Sequence, residues 1–543
     1  MKRKSFNQRL RKTFFFLLIV ISFAFLAERG NSRSRCLYSS DCSFSKIQRG
    51  EISRASSAPK IWRNRLPRVR NYIRQVMKKW DIPGLAVVIV DQNQIVMAEG
   101  YGWRDVAAKL PVTPQTRFIL GSTSKAFTTL ALGILVEEGK MTWDEPVRNH
   151  LPEFALKDEL ASLRCSARDL VTHRTGLPRH DLVWSGASLT PEQIVKVLRF
   201  LEPSRGFRSV YQYNNLMYIT AGLLVERVAA QPWESFLQER IFKPLEMTHT
   251  GCSVADYLQS EEYALAYRRK GSKLEVIPWP SPEQVILYGP RASGSINSCA
   301  VDMGHWVIYH LQGEYKGQRL VSLAMLQEIH SPQIVRPLSQ TDLPEIRYPS
   351  YGLGWAIDDY RGHYRVHHGG RTMGFTSFVF FFPEKHFGGA VLSNSSSPGA
   401  SLVANYISDL GLDLTPVDWE KKLSIPTSPQ EKHQPLSSVK VRPIRPLEEY
   451  RGEYINPAYG RIKIDYDDST EMLVLSFHHR RITLIAVNFD LFQPVEPSWK
   501  RYLVKFKTNF RGQIIALEIP FEPAVSPIVF EKIGVISKEK RKN

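Results

Sequence analysis

The tetrad Ser122-Thr123-Ser124-Lys125 opens the apolar run Ala126–Val136. Residues three apart share one face of a helix, so the lysine amine falls within reach of the serine hydroxyl proton. A serine hydroxyl is a poor nucleophile without such a base. At the first turn of a helix the Ser122 backbone N–H is also an orphan donor, aimed where an oxyanion forms. The positive helix end and burial disfavour an ammonium at Lys125. The tetrad alone carries little weight, because five Ser-x-x-Lys sequences occur, starting at Ser43, Ser57, Ser122, Ser437 and Ser537. Only Ser122 leads into a buried helix. The bland alternative is that Ser122 caps that helix and Lys125 is solvated.

Two further clusters add complementary groups. Tyr211-Gln212-Tyr213-Asn214-Asn215 precedes a second apolar helix over Leu216–Ala229. Beside a lysine, the Tyr213 phenol can shuttle protons, and the Asn215 amide can accept from the amine and donate to a substrate carbonyl. Tyr-x-Asn recurs at Tyr454-Ile455-Asn456, and a buried tyrosine with a satisfied hydroxyl is its commoner meaning. His367-His368-Gly369-Gly370-Arg371 borders the β-rich segments Ser377–Phe382 and Phe387–Leu392. Gly370 lets a substrate lie against the strand edge, and the Arg371 N–H is expected to be the second oxyanion donor. Strand neighbours face opposite ways, so one of His367 and His368 points inward; His368 is taken as that residue, relaying a proton or orienting the tyrosine.

These groups must be carried by a sizeable folded body. The chain has 543 residues, 43% hydrophobic and 23% charged, which fits two or three soluble domains and excludes a miniprotein, wholesale disorder or a multi-span membrane protein. The net charge of +19 is concentrated in residues 1–80, with 20 Lys and Arg against 3 Asp and Glu. The other 463 residues hold 52 against 50, leaving no basic excess for a phosphate backbone, so no nucleic-acid partner is expected. Six basic residues, from Lys2 to Lys12, precede an apolar stretch from Phe14 to Ala27. As a helix this stretch spans roughly 21 Å against a ~30 Å hydrocarbon core, so residues 1–27 read as a cleaved secretory signal. The alternative is an uncleaved anchor, giving membrane association only if the segment is retained; either way the body is exported.

A Ser- and Arg-rich flexible stem (28–63) follows, then a helix from about Ile61 to Trp80 and a hairpin from Leu85–Val90 and Ile95–Ala98 at the edge of a sheet. Five prolines between 426 and 446 mark an interdomain linker (414–446). Six short β-prone runs between Gly460 and Phe530 suggest a small antiparallel barrel or sandwich (447–535), before a basic tail (536–543). The cysteines Cys36, Cys42, Cys165, Cys252 and Cys299 have no zinc-ligand spacing; Cys36 and Cys42 can pair locally, and the other three read as buried thiols. Asn394-Ser395-Ser396 is a plain sequon at a strand end, where burial and glycosylation are equally open.

The order Ser-x-x-Lys, Tyr-x-Asn, His-x-Gly, with separations of 91 and 155 residues (122 to 213 to 368), resembles the serine beta-lactamase and penicillin-binding family in its class C-like, peptidase S12-type branch. Thr172-His173-Arg174-Thr175-Gly176-Leu177-Pro178, Ala292-Ser293-Gly294-Ser295 and Tyr351-Gly352-Leu353-Gly354-Trp355 are similar to stretches of that family as well. The resemblance covers about residues 64–413. It implies an α+β fold, an antiparallel sheet flanked by helices with an inserted helical lobe. It further implies an acylated Ser122, Lys125 and Tyr213 as general base and acid, Asn215, Gly370 and Arg371 on the substrate, and no metal or organic cofactor. The substrate is then a small molecule or peptide. His368 stands where many relatives carry the Lys of a Lys-Thr-Gly triplet, and Ser293 stands at a common glycine, where it is expected to narrow the cleft. The chain is thus more similar to esterases, D-peptidases and secreted relatives than to penicillin-hydrolysing enzymes. The C-terminal module resembles a lipocalin-like domain. Because some secreted relatives are components of shell organic matrix, the resemblance also leaves a second function class, an extracellular matrix or binding scaffold.

Overall fold

A computed structural model describes residues 60–271, 273–278, 291–337, 343–423 and 443–534. The leader, nearly all of the stem, Cys36, Cys42, much of the linker and the basic tail lie outside the described residues. Among the described residues no helix is long and apolar enough to cross a membrane.

Helix α1 (Lys60–Lys79) is amphipathic, with Trp62, Leu66, Val69, Ile73 and Val76 recurring every three or four residues on its buried face. It lies against one face of a mixed-length antiparallel sheet. The sheet strands are β1 (Gly84–Asp91), β2 (Gln94–Asp105), β3 (Leu110–Pro111), β4 (Ile334–Val335), β5 (Ile346–Tyr351), β6 (Ala356–Tyr360), β7 (His363–Thr372), β8 (Phe375–Phe382) and β9 (Phe387–Ser393). Their order across the sheet is β3-β2-β1-β9-β8-β7-β6-β5-β4. The hairpin expected at the edge is there, extended by the two-residue β3.

Strand β1 shows why its sequence is apolar throughout rather than alternating. Leu85, Val87 and Ile89 pack with α1 and with helix Gly399–Gly411, while Ala86, Val88 and Val90 face the larger core on the other side. A strand covered on both faces buries every side chain, at about 1.5–3 kcal/mol for each large aliphatic one. The larger core holds α2 (Ser124–Glu137), α3 (Asn215–Ala229) and α4 (Ala300–Gln312), and most of the helical lobe lies between β3 and β4 in the chain.

Downstream, Trp419 is buried, stacks on Tyr360 and donates to Asp409. The C-terminal region then forms a closed barrel of eight antiparallel strands, from Gly452–Asn456 to Ile528–Lys532. Aromatic side chains, among them Tyr450, Phe477, Phe492, Phe506 and Phe530, fill its interior, as a barrel of this strand number allows. Two barrel strands had no clear signal. Gly452–Asn456 begins Gly-Glu, and Leu491–Pro494 is four residues long and ends in proline.

Cys165, Cys252 and Cys299 are buried free thiols. Asn394 is fully buried, with Oδ1 accepting from Gly84 N–H and Nδ2 donating to the Trp103 carbonyl, so this sequon is inaccessible in the folded chain.

Candidate active site

Ser122 sits in a single 3-10 turn, Gly121–Thr123, that runs into α2. The turn is fixed from several sides. Leu120 N–H donates to the Ile296 carbonyl, and the Leu120 carbonyl accepts from Thr123 Oγ1 at 3.1 Å and Ser377 Oγ at 2.6 Å. Two glycines let β7 press against it. A Cβ on Gly370 would lie 1.8 Å from the Leu120 carbonyl oxygen, and one on Gly121, whose φ is +57°, would lie 2.8 Å from the Arg371 nitrogen. The Arg371 backbone is thereby brought beside the Ser122 turn, while its side chain is exposed.

Neither feature of the capping alternative is present. No side-chain capping bond is made at the start of this turn or of α2, and Lys125 is completely buried. Its Nζ lies 3.1 Å from Ser122 Oγ, 2.8 Å from Asn215 Oδ1 and 2.8 Å from the Ser293 carbonyl oxygen. The last two partners can only accept. A neutral amine has two N–H bonds for them and one lone pair left, facing the serine hydroxyl. Burial, then the charge of Arg179, push the Lys125 amine well below its ordinary value, and Asp181 opposes them. Ser293 thus contributes through its backbone.

Tyr213 is half-buried, its ring centroid 4.8 Å from Lys125 Nζ. Burial raises its phenol, and a hydrogen bond with Ser122 offsets part of that rise. The tyrosine is placed by its neighbour Asn214. Asn214 caps α3 by accepting from Met217 N–H, donates from Nδ2 to the Leu177 and Pro178 carbonyls, and gives its backbone N–H to His173 Nδ1. Asn215 Nδ2 donates to Asp181 Oδ1 at 3.0 Å, so one end of the amide meets the lysine and the other a carboxylate.

His368 is the histidine that faces inward; His367 is on the opposite side of β7, bonded to Asp358 and stacked on Phe378. Both ring nitrogens of His368 are engaged. Nδ1 donates to the Gly369 carbonyl at 2.7 Å, so Nε2 accepts from the Tyr351 hydroxyl at 2.9 Å. Burial drives the His368 imidazole down to about 3, leaving it neutral. It orients Tyr351 and supplies no positive charge.

Residues 69–412 match the beta-lactamase family. This chain belongs to the beta-lactamase family. By that membership it is a serine hydrolase. Residues 437–532 match a domain of unknown function (DUF3471). The chain is 31% identical over 432 residues to unguisins hydrolase ungD' of Aspergillus campestris, an alignment covering 74% of this chain and 78% of that one. In fold it is similar to the octameric penicillin-binding protein homologue of Pyrococcus abyssi, at 23% identity and TM-score 0.58, covering 86% of this chain and all of that one. It is also similar in fold to D-amino acid amidase of Ochrobactrum anthropi SV3, at 22% identity and TM-score 0.53, covering 64% of this chain and 98% of the other.

Within this beta-lactamase-family site, several neighbours were not singled out from sequence. His173 packs 4.3 Å from the Tyr213 ring, with Nε2 buried and lacking a hydrogen-bond partner among the described residues. Tyr351, Asp181 and the guanidiniums of Arg179 and Arg336, over the Tyr213 and Tyr211 rings at 5.1 and 5.7 Å, complete the wall. Asp181 belongs to none of the motifs; Tyr351 lay in a stretch similar to the family's that gave it no role.

Proposed function

We propose that the chain cleaves an ester or amide through an acyl-enzyme on Ser122. Neutral Lys125 takes the hydroxyl proton as Ser122 Oγ attacks the carbonyl carbon. The electron pair moves onto the carbonyl oxygen, received by the N–H groups of Ser122 and Arg371. Collapse expels the leaving alcohol or amine, protonated from Lys125 with Tyr213 as the relay. Water then attacks the ester by the same route in reverse. The observation that carries this reading is the fully buried lysine amine 3.1 Å from Ser122 Oγ, with its two other partners confined to accepting. Asn215 holds the lysine, and His368 acts as a positioning residue through Tyr351.

The substrate in this reading is a small molecule or peptide. A neutral His368 gives no fixed ammonium for a carboxylate, which favours esters and peptides over penicillins. The apolar leader supports export of the body, which N-terminal sequencing of the exported chain tests. Short-chain esters, D-amino-acid peptides and beta-lactams offered to purified residues 28–543 test the chemistry. Turnover of one class, lost in Ser122→Ala, is expected. Equal, background rates for both proteins on every class would instead favour the matrix scaffold.

A further inference from the structure

The loop Arg179–Ser188 runs past the reacting groups on one side and meets the barrel on the other. At its start, His180 is buried with a left-handed backbone (φ 45°, ψ 37°). Its Nε2 lies 2.9 Å from the Glu202 carbonyl, which can only accept, so Nε2 carries the proton. Nδ1 is then an acceptor, and the barrel residue Tyr459 donates to it at 2.7 Å. The His180 backbone N–H donates to Oε2 of Glu522, a second barrel residue, at 2.9 Å. Farther along, His478 Nε2 donates to the Leu182 carbonyl and Arg480 to the Ser185 carbonyl.

The next residue is Asp181. Its Oδ1 accepts from Asn215 Nδ2 at 3.0 Å and from Trp184 Nε1 at 3.1 Å, and its Oδ2 accepts from Arg179. A carboxylate only accepts, so it fixes which end of the Asn215 amide faces it. The oxygen must then face Lys125. With the amide reversed, an NH2 would confront the amine and two donors would oppose each other.

We propose that the C-terminal barrel is a working part of the active site: Tyr459 and Glu522 hold His180, and thereby set Asp181 to orient Asn215 toward Lys125. Tyr459, Glu522 and Asp181 are positioning residues in this scheme, acting through Asn215, and the proposal rests on Lys125 being the base for Ser122. Each of these barrel contacts falls on the loop whose Asp181 touches the catalytic amide.

The test compares the rate at which a fluorophosphonate labels Ser122 in the full chain and in variants whose melting temperatures are measured alongside. Tyr459→Phe keeps the ring against Phe521 and Phe530 and removes only the hydroxyl. Asp181→Ala removes the acceptor, and Asp181→Asn restores one. Labelling is expected to slow about 10- to 100-fold in Asp181→Ala and about 3- to 10-fold in Tyr459→Phe, less than the roughly 10²- to 10⁴-fold of losing the general base itself, because both residues act through Asn215. Asp181→Asn should recover most of the rate. The double variant Tyr459→Phe/Asp181→Ala should label no more slowly than Asp181→Ala, because both act through one link. If Tyr459→Phe unfolds, Glu522→Ala, which removes the acceptor of the His180 N–H, takes its place in the same cycle. Labelled wild type with folded variants that match it, or with effects that multiply independently, overturns the proposal alone. A wild type that is not labelled at Ser122 removes the Ser122 reading, and the proposal with it.

Discussion

Lys125 Nζ stands 2.8 Å from Asn215 Oδ1 and, among the described residues, has no carboxylate as a hydrogen-bond partner; its others are Ser122 Oγ and the Ser293 carbonyl. A buried amine without a paired anion is most stable neutral, which is the form that can take a proton. Lys125→Ala is therefore expected to slow acylation by about 10²- to 10⁴-fold, the usual contribution of a general base. Lys125→Arg should not restore it, since a guanidinium stays charged. Stopped-flow measurement of probe labelling checks both, and an arginine variant near the wild-type rate would contradict the assignment.

The same neutrality sets the pH dependence. The base works when deprotonated, so acylation should rise with pH and level off above the Lys125 pKa. Because burial and Arg179 lower that pKa, the rise should be complete well below 10.5, the value for a free lysine. A labelling rate still climbing at pH 10 would exclude Lys125 as the group observed.

Close approach of backbone decides the next prediction. A Cβ at Gly370 would sit 1.8 Å from the Leu120 oxygen, whereas at Gly369 the nearest atom is a Phe378 ring carbon at 3.6 Å. Gly370→Ala should push β7 away from the serine turn, lower the melting temperature, cost about 1–3 kcal/mol or more, and suppress labelling. Gly369→Ala should do neither. Calorimetry and labelling on the two variants check this, and equal behaviour would mean that the turn and strand do not touch as described.

Buried imidazoles predict an acid-sensitive fold. Burial drives His330 and His368 to about 3 and His478 to about 4, with His310 and His173 also well lowered. An unfolded histidine takes a proton below about 6.5 and these folded ones do not, so stability falls as pH drops from 6.5 toward 4. Carboxylates with lowered values add their loss later. Burial raises Asp169 and Asp358, but their arginine partners outweigh it and hold both below the usual range, so their stabilisation fades only below about 4. Melting temperatures across pH 7 to 4 check the sign, and a flat profile down to pH 4.5 would contradict it.

What the sequence made legible follows from range of interaction. Ser122 and Lys125 are three residues apart on one helix, and the apolar run behind them announces burial. Tyr213 and Asn215 flank the start of a second apolar helix. These are local patterns, and so is the alternation by which only one of His367 and His368 faces inward. By contrast, the contact of Asp181 with Asn215 spans 34 residues, and that of Tyr459 with His180 spans 279. Such contacts depend on how a loop and a barrel dock, which no local period encodes. The engagement of His368 by Tyr351 was hidden for the same reason.

The most direct test of the account is the covalent state of Ser122. Residues 28–543, incubated with a fluorophosphonate, digested and mapped by mass spectrometry, should carry the phosphonyl group on the peptide containing Ser122, and Ser122→Ala should carry none. Modification at another residue, or none on a protein that melts cooperatively, would contradict a catalytic Ser122.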